Sequence, residues 1–376
     1  MGKYTNEKLE YLLETKRLIR EALRAKGQIV SIHDTFRSYA DKIMAIKSGG
    51  REIRLEYATS ILPPDGDRFA TTTRSISHDG RYVLYRLENA KRVDIYDIEA
   101  KKVVWSVKDE SGAIVDALKC DFDNTSTSVV GVRYTADPRV VDIFRASINS
   151  FEVITQYSAG EQAYAPQALA CAPDADEIYL SYFAFEGMEG IHYIYKYHSM
   201  IYSDGEWKID SLTSTLANGF LFTNDGEYAI AYGDGIQRIV RADGSEYKDP
   251  MKLDDTVVSM SLTANDNYVI DFGLEPYIAV HRISDYEKIY DFEGKFDSRM
   301  RSICIPGSNI IVSAKADGSD VRMFDVSTGS PVEKDDIPDL SIDSSVDALV
   351  GSYMGNRLLF AGPYGYEVWN VIETKT

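Results

Sequence analysis

The side chains able to do chemistry are few and scattered. His33, His78, His192, His198 and His281 are the whole histidine supply of the 376-residue chain. They fall in different segments, and no HExxH, CxxC, Walker loop or GxSxG accompanies them. His192 and His198 are the nearest pair, but six residues of extended strand span about 20 Å, too far to share one metal ion. Three acidic turns, 65–67 (DGD), 174–176 (DAD) and 317–320 (DGSD), could offer oxygens to calcium, yet none has the spacing of an EF-hand loop. With so many carboxylates a glycosidase pair stays open, although no recurrent S-x-D-x-G-x-x-W box is present. Cys120, Cys171 and Cys304 are an odd number spread widely, which argues for free buried thiols and not a disulfide framework. Aromatic rings are dense between Tyr179 and Trp207, where they could stack on a sugar or anchor a protein, or simply pack between strands. The best contact candidates there are Phe185 and Met188 in the predicted loop FEGMEG (185–190) and Trp207 in the hairpin SDGEW (203–207). The expectation is a non-enzymatic protein without metal or cofactor.

The elements that must position these residues are mostly strands. Tyr 26, Phe 14 and Trp 3 beside Gly 26 favour strands joined by tight turns. Lys and Arg total 41 against 59 Asp and Glu, a net charge of −18, which argues against a nucleic-acid partner. No apolar run approaches the ~20 residues of a membrane span, and the first residues lack a signal-peptide core, so synthesis in a cytoplasm without membrane insertion is expected.

Self-comparison after residue 50 shows a period of 40 to 50 residues. A strand rich in β-branched and aromatic residues recurs as RVDIYDI (92–98), RVVDIFRA (139–146), GIHYIYKY (190–197), GIQRIVRA (235–242), YIAVHRI (277–283), VRMFDV (321–326) and YEVWNVI (366–372). Upstream of each lies a strand, a turn and a second strand, with turns HDGR (78–81), DNTS (123–126), PDAD (173–176), NDGE (224–227), NDNY (265–268), PGSN (306–309) and MGNR (354–357). The cysteines stand three residues before Asp123, Asp174 and Gly307, which reads as one buried column of the repeat shared with Ile76 and Phe222. Seven such units predict a seven-bladed β-propeller over 51–376, mainly β, with the lone strand 53–61 completing the last blade. The recurring strands resemble those of WD-repeat proteins, with Tyr96-Asp97, Phe324-Asp325 and Trp369-Asn370 at the place of the Trp-Asp pair. The family's Gly-His pair is absent, so the likeness is to a WD-like propeller.

Residues 1–50 differ in kind. Leu9, Leu12, Leu13, Ile19 and Leu23 recur at helical spacing between Thr5 and Gly27. Phe36, Tyr39, Ile43 and Ile46 do the same in a second predicted helix from Asp34 to the Gly49-Gly50 pair. Such a hairpin cannot bury both stripes alone, so Leu9, Leu12, Ile19, Leu23, Phe36, Tyr39 and Ile43 are the expected partner-binding residues. The segment carries a net +4, and the remainder −22.

Residues 14–43 resemble the short N-terminal helical module of many tail, baseplate, fibre and other virion proteins of bacteriophages and prophages. The residues that carry the likeness are Thr15, Lys16, Ile19, Ala22, Lys26 and Gly27, then Phe36, Tyr39, Lys42 and Ile43. Ile32-His33 is more apolar than the usual polar turn. The resemblance implies a virion protein, made in the host cytoplasm, whose N-terminal helices attach it to other virion proteins while the propeller serves as a decoration, assembly or host-attachment module. Further partners left open are a host-surface glycan or protein and a second copy of the chain. A cytoplasmic WD-like interaction scaffold and, behind it, a glycan-acting propeller enzyme are the alternatives.

Overall fold

Each repeat opens with a short strand whose partner strands, such as YVLYRL (Tyr82–Leu87), IIVSAK (Ile310–Lys315) and RLLFA (Arg357–Ala361), are apolar almost throughout and buried along nearly their whole length. That pattern requires cover on both faces of the sheet, which only a neighbouring sheet on each side supplies. A computed structural model describes residues 2–24, 30, 39, 51–90, 92–108, 119–136, 139–147, 150–158, 163–189, 192–209, 217–233, 235–242, 244–252, 257–264, 266–272, 278–291, 300–326, 330–332 and 346–375. These residues form one N-terminal helix, Gly2–Arg24, and seven four-stranded antiparallel sheets. The protein is a seven-bladed β-propeller.

Numbered along the chain, blades 1 to 7 have the inner strands Phe69–Ile76, Lys119–Phe122, Ala163–Cys171, Ala217–Phe222, Val257–Leu262, Met300–Cys304 and Ala348–Gly351. In blades 1 to 6 the three following strands pair outward in sequence order. Blade 7 is completed differently. Its outer strand is Arg51–Ile61, which runs antiparallel to the C-terminal Tyr366–Lys375 from Arg51 opposite Lys375 to Ile61 opposite Tyr366. A register shift between Tyr57 and Thr59 bends it around the blade.

The hydrophobic core is distributed over the blade interfaces. Phe69, Val83 and Tyr85 of blade 1 meet Leu359, Tyr366 and Val368 of blade 7 in one cluster. Leu84, Val93 and Ile95 of blade 1 meet Phe122, Val129 and Phe144 of blade 2 in another. Ile53, Leu55 and Trp369 of the closing blade join Ile310, Val312 and Met323 of blade 6. Every pair of neighbouring blades shares such a cluster, so each blade is held from both sides.

The first turns of the blades form a second ring of contacts. In blade 1 the Ser77 carbonyl accepts from Gly80 N at 2.8 Å, Ser77 Oγ donates to Asp79 at 2.6 Å, and Gly80 takes φ 78°. This is a type I turn closed by a left-handed residue. Thr223 and Asp225 repeat the hydroxyl-to-carboxylate bond in blade 4 at 2.5 Å. Neighbouring turns then bond to one another. Met354 N donates to His78 O at 3.0 Å, Ala264 N to Ser308 O at 2.7 Å, and Asn224 N to Asp266 at 2.7 Å. Gly355 lies so close to the blade 6 turn that a Cβ would stand 2.4 Å from Pro306 O.

Three sequence expectations change here. In blade 3 Ile178 faces Tyr202, as Val83 faces Tyr96 in blade 1, so the third strand proper is 198–203 and not 190–197. Residues 185–189 are not a loop but an extension of the strand Ile178–Glu189, paired with 192–195 of His192–Ser203 and shifted in register at Gly187. Alternating tyrosines on one side and FEGME on the other can continue a ladder, and they do. The cysteines also divide: Cys171 and Cys304 lie opposite Ile178 and Ile311 at the position of Ile76, but that place in blade 2 belongs to Phe122, and Cys120 sits two residues earlier. Asp123 plays the part of Ser77 in its turn, whereas Asp174 plays that of Asp79, which is why counting back from aspartate misaligned them. The predicted second helix lies outside the described residues except for Tyr39, which is helical.

The closing strand generates a direct test. A chain beginning at residue 51 should unfold in one cooperative thermal transition. A chain beginning at residue 62 leaves Tyr366–Lys375 without its outer partner and removes Ile53, Leu55 and Ile61 from two interfaces, so it should lose that transition in calorimetry.

Candidate interaction surface

The N-terminal helix differs along its length. Arg17 bridges Glu14 at 2.7 Å and also pairs with Glu21, and Thr15 Oγ1 donates to Tyr11 O at 2.8 Å, local bonds that support a helix through its middle turns. The Glu14 hydrogen bond raises the Arg17 pKa and lowers that of Glu14. Toward the C-terminal end Leu23 packs with Val30 and Tyr39, all buried, and Ile19 joins them half-buried. Among the described residues this cluster is drawn from residues 19–39, so the segment has a small core of its own. Arg20, 9% exposed, reaches out of it to Glu227 of the blade 4 turn at 2.6 Å. The helix is thereby tied to the face of the propeller that carries the first turns.

The turns ahead of this cluster face solvent. Tyr11, Leu12, Leu13 and Leu18 are between 51% and 72% exposed; Leu12 continues the side that carries Ile19 and Leu23, Tyr11 and Leu18 lie to one side of it and Leu13 to the other, so open apolar surface extends around the helix there. Of the residues expected to bind a partner, Leu12 is on this open surface, whereas Leu23 and Tyr39 are consumed by the internal cluster and Ile19 packs against it. Leu9 is helical, but its side chain lies outside the described residues, as do Phe36 and Ile43 altogether. Tyr11, Leu13 and Leu18 complete the surface. Leu13 belongs to the helical period read from the sequence, whereas Tyr11 and Leu18 lie off it and carried no periodic signal.

In blade 3 Phe185 and Met188 stand opposite Tyr195 and Tyr193, with their side chains outside the described residues. Trp207 follows the two-residue turn Asp204-Gly205, whose φ values of 55° and 83° suit a tight hairpin. Its half-buried ring lies 5.3 Å from that of Tyr202 and packs against the cluster of Ile178, Leu180 and Met200. Other rings are used between or within blades in the same way. Arg238, buried, sits over Tyr247 at 4.3 Å, Tyr286 at 5.3 Å and Tyr228 at 5.5 Å.

The acidic turns are engaged by the protein's own donors. Asp67 accepts backbone N–H groups of Arg68, Asn89 and Ala90 at 2.8, 2.8 and 3.0 Å; burial opposes its ionisation, but these donors outweigh it and hold the pKa below the ordinary range. Asp174 pairs with Arg241 at 2.9 Å, Asp176 with Arg145, and Asp317 takes both the N–H and the hydroxyl of Ser319. Among the described residues no three His, Cys, Asp or Glu side chains converge as a metal site. His78 is pushed below its ordinary pKa by burial, with Asp121 and Asp123 pulling the other way, and His281 Nδ1 lies 3.0 Å from Tyr286 O. His192 and His198 lie opposite Glu189 and Tyr182 on the long hairpin, and His33 is outside the described residues. Cys120, Cys171 and Cys304 are buried and free, and burial raises all three thiol pKa values. No helix among the described residues is long and apolar enough to cross a membrane.

A seven-bladed propeller with a docked helix presenting an open apolar surface defines the class of protein. Within that class, a scan of known protein families and a search of curated proteins each find no match to the chain.

Two measurements test this surface. Native protein should react with a thiol reagent such as DTNB far more slowly than denatured protein, with all three cysteines appearing only on unfolding. Arg20→Ala should speed amide exchange in residues 15–24 at least several-fold while exchange in the blade strands is unchanged.

Proposed function

We propose that the chain is a non-enzymatic structural component of a bacteriophage or prophage particle, attached through its N-terminal helical segment and displaying the propeller outward. The observation that carries this reading is the apolar surface of Tyr11, Leu12, Leu13 and Leu18, exposed on the turns ahead of the cluster in which Leu23, Val30 and Tyr39 are already buried. An apolar surface of this kind is favourable only when covered. The resemblance of residues 14–43 to virion attachment modules supplies the kind of partner: other particle proteins. The propeller suits display because it offers rigid loops on two faces without requiring chemistry. Its −22 charge against the +4 of residues 1–50 supports two ends with different partners, one attached and one presented.

Mass spectrometry of purified particles from the producing strain should find the chain at stoichiometric level. Replacing Leu12, Leu13 and Leu18 together by serine should reduce incorporation at least about tenfold, the scale expected when several anchors of an interface are removed, with thermal unfolding of the propeller unchanged. A chain absent from particles but recovered from lysate as a dimer through the same surface would instead support the cytoplasmic scaffold.

A further inference from the structure

The face of blade 4 toward blade 5 carries a buried cation that meets no acid among the described residues. Arg238 lies on the third strand, Gly235–Val240, opposite Ile230 of the second strand and Tyr247 of the outer strand. Ile230 and Ile236 pack with Val257, Tyr268 and Ile270 of blade 5, which places the guanidinium between the two blades. Arg238 is 3% exposed, and rings close around it, Tyr228 and Tyr247 from blade 4 and Tyr286 from blade 5. Tyr286 belongs to the turn that joins the third and outer strands of blade 5, and its ring stacks on that of Tyr268 with centroids 6.1 Å apart.

Arg238 Nε and Nη2 are both buried without a hydrogen-bond acceptor. These two nitrogens share one edge of the guanidinium plane, the edge that takes a carboxylate through two parallel bonds. The hydroxyls of Tyr268 and Tyr286 are also buried and without a hydrogen bond. Burial raises the Tyr268 pKa, with Arg238 the leading influence against it, so this hydroxyl stays protonated and able to donate. The acids of the neighbouring turns are committed elsewhere: Asp266 accepts from Asn224 N at 2.7 Å and Nδ2 at 2.8 Å, and Glu227 pairs with Arg20. Arg241, buried three residues further on, shows the usual solution, since it meets Asp174 at 2.9 Å and Glu177 at 2.8 Å. Ring faces offset part of the cost of a buried guanidinium, but donors left without an acceptor remain expensive.

We propose that Arg238 anchors a carboxylate-binding site between blades 4 and 5, with the Tyr268 and Tyr286 hydroxyls as further donors. A planar monoanion matches the open edge of the guanidinium and cancels its single charge, whereas a phosphate dianion brings excess negative charge into a ring-lined interior. The tyrosine rings favour an acid with an aromatic body. Tyr286 is the wall that moves: its half-buried side chain stands on a turn at φ 65°, a left-handed value that a bulky residue adopts at a cost, and rotation of its ring opens the way to the guanidinium. The site lies apart from the exposed surface of the helix and does not depend on the attachment reading.

The test is calorimetric titration of the full chain with sodium phenylacetate, against its neutral isostere phenylacetamide and against sodium chloride at matched ionic strength. One-to-one binding is expected for phenylacetate alone, weakened at least about tenfold in Arg238→Met by loss of the charge-assisted fork. The melting temperature should rise with phenylacetate in the wild type and not in the variant. Arg238→Met keeps a long apolar side chain and removes a buried charge, so it should fold. Acetyl-glycyl-phenylalanine titrated in parallel separates two sources of the carboxylate: a small-acid site binds phenylacetate at least as tightly, whereas a site for the end of a protein chain prefers the peptide. Equal binding by wild type and Arg238→Met, or binding of neither acid by the wild type, overturns the proposal. Crystals of the unaltered chain soaked in 4-iodobenzoate give a check free of folding effects. An anomalous peak beside Arg238 between blades 4 and 5 supports the site, and peaks only elsewhere refute it.

Discussion

Ring closure is the constraint on which the rest of this structure depends. Each blade of a propeller buries its two faces only against its neighbours, so a ring that stays open exposes two apolar sheets at once. The chain meets that demand by sending Arg51–Ile61 across to pair with Tyr366–Lys375, joining residues more than three hundred positions apart. Ile53 and Leu55 enter the interface with blade 6 and Ile61 that with blade 1, so the same strand seals both sides of the closing blade. The hydrogen bonds between neighbouring first turns, such as Met354 N to His78 O, reinforce closure on one face. Contacts this remote are entropically expensive to form, and cooperativity between blades is their return.

Much of this was legible in the sequence because the repeat is periodic and its turns have physical signatures. Asp79-Gly80, Asp225-Gly226 and Pro306-Gly307 mark positions where the chain must reverse, and a strand left over at 53–61 beside a last repeat short of one strand pointed to closure. What failed was register. GIHYIYKY matches the composition of a third strand, yet Tyr202 holds that place, because the long hairpin of blade 3 carries strand-forming residues past the body of the blade. Composition cannot tell a strand inside the blade from its continuation beyond it; the cross-strand partner can. The cysteine column broke for a related reason. Asp can serve as the first residue of the turn, as Asp123 does, or as its third, as Asp174 does, and the two uses shift a count by two residues.

The interaction surface was half legible. Helical spacing identified an apolar stripe, but spacing does not say which part of it folds inward. Leu23 and Tyr39 form a small core with Val30, and Arg20 fastens that core to Glu227, leaving Tyr11, Leu12, Leu13 and Leu18 exposed on the preceding turns. The charge separation read from the sequence has one physical link among the described residues: Arg20 of the basic segment pairs with Glu227 of the acidic ring.

Cross-linking mass spectrometry on intact particles tests the central claim most directly, since it reports which part of the chain touches other proteins in place. An amine-reactive reagent should give links from Lys8 and Lys16, beside the exposed apolar surface, to other particle proteins, while the propeller lysines link mainly within the chain. Links to other proteins spread evenly over the blades, with none from Lys8 or Lys16, would contradict attachment through the helix.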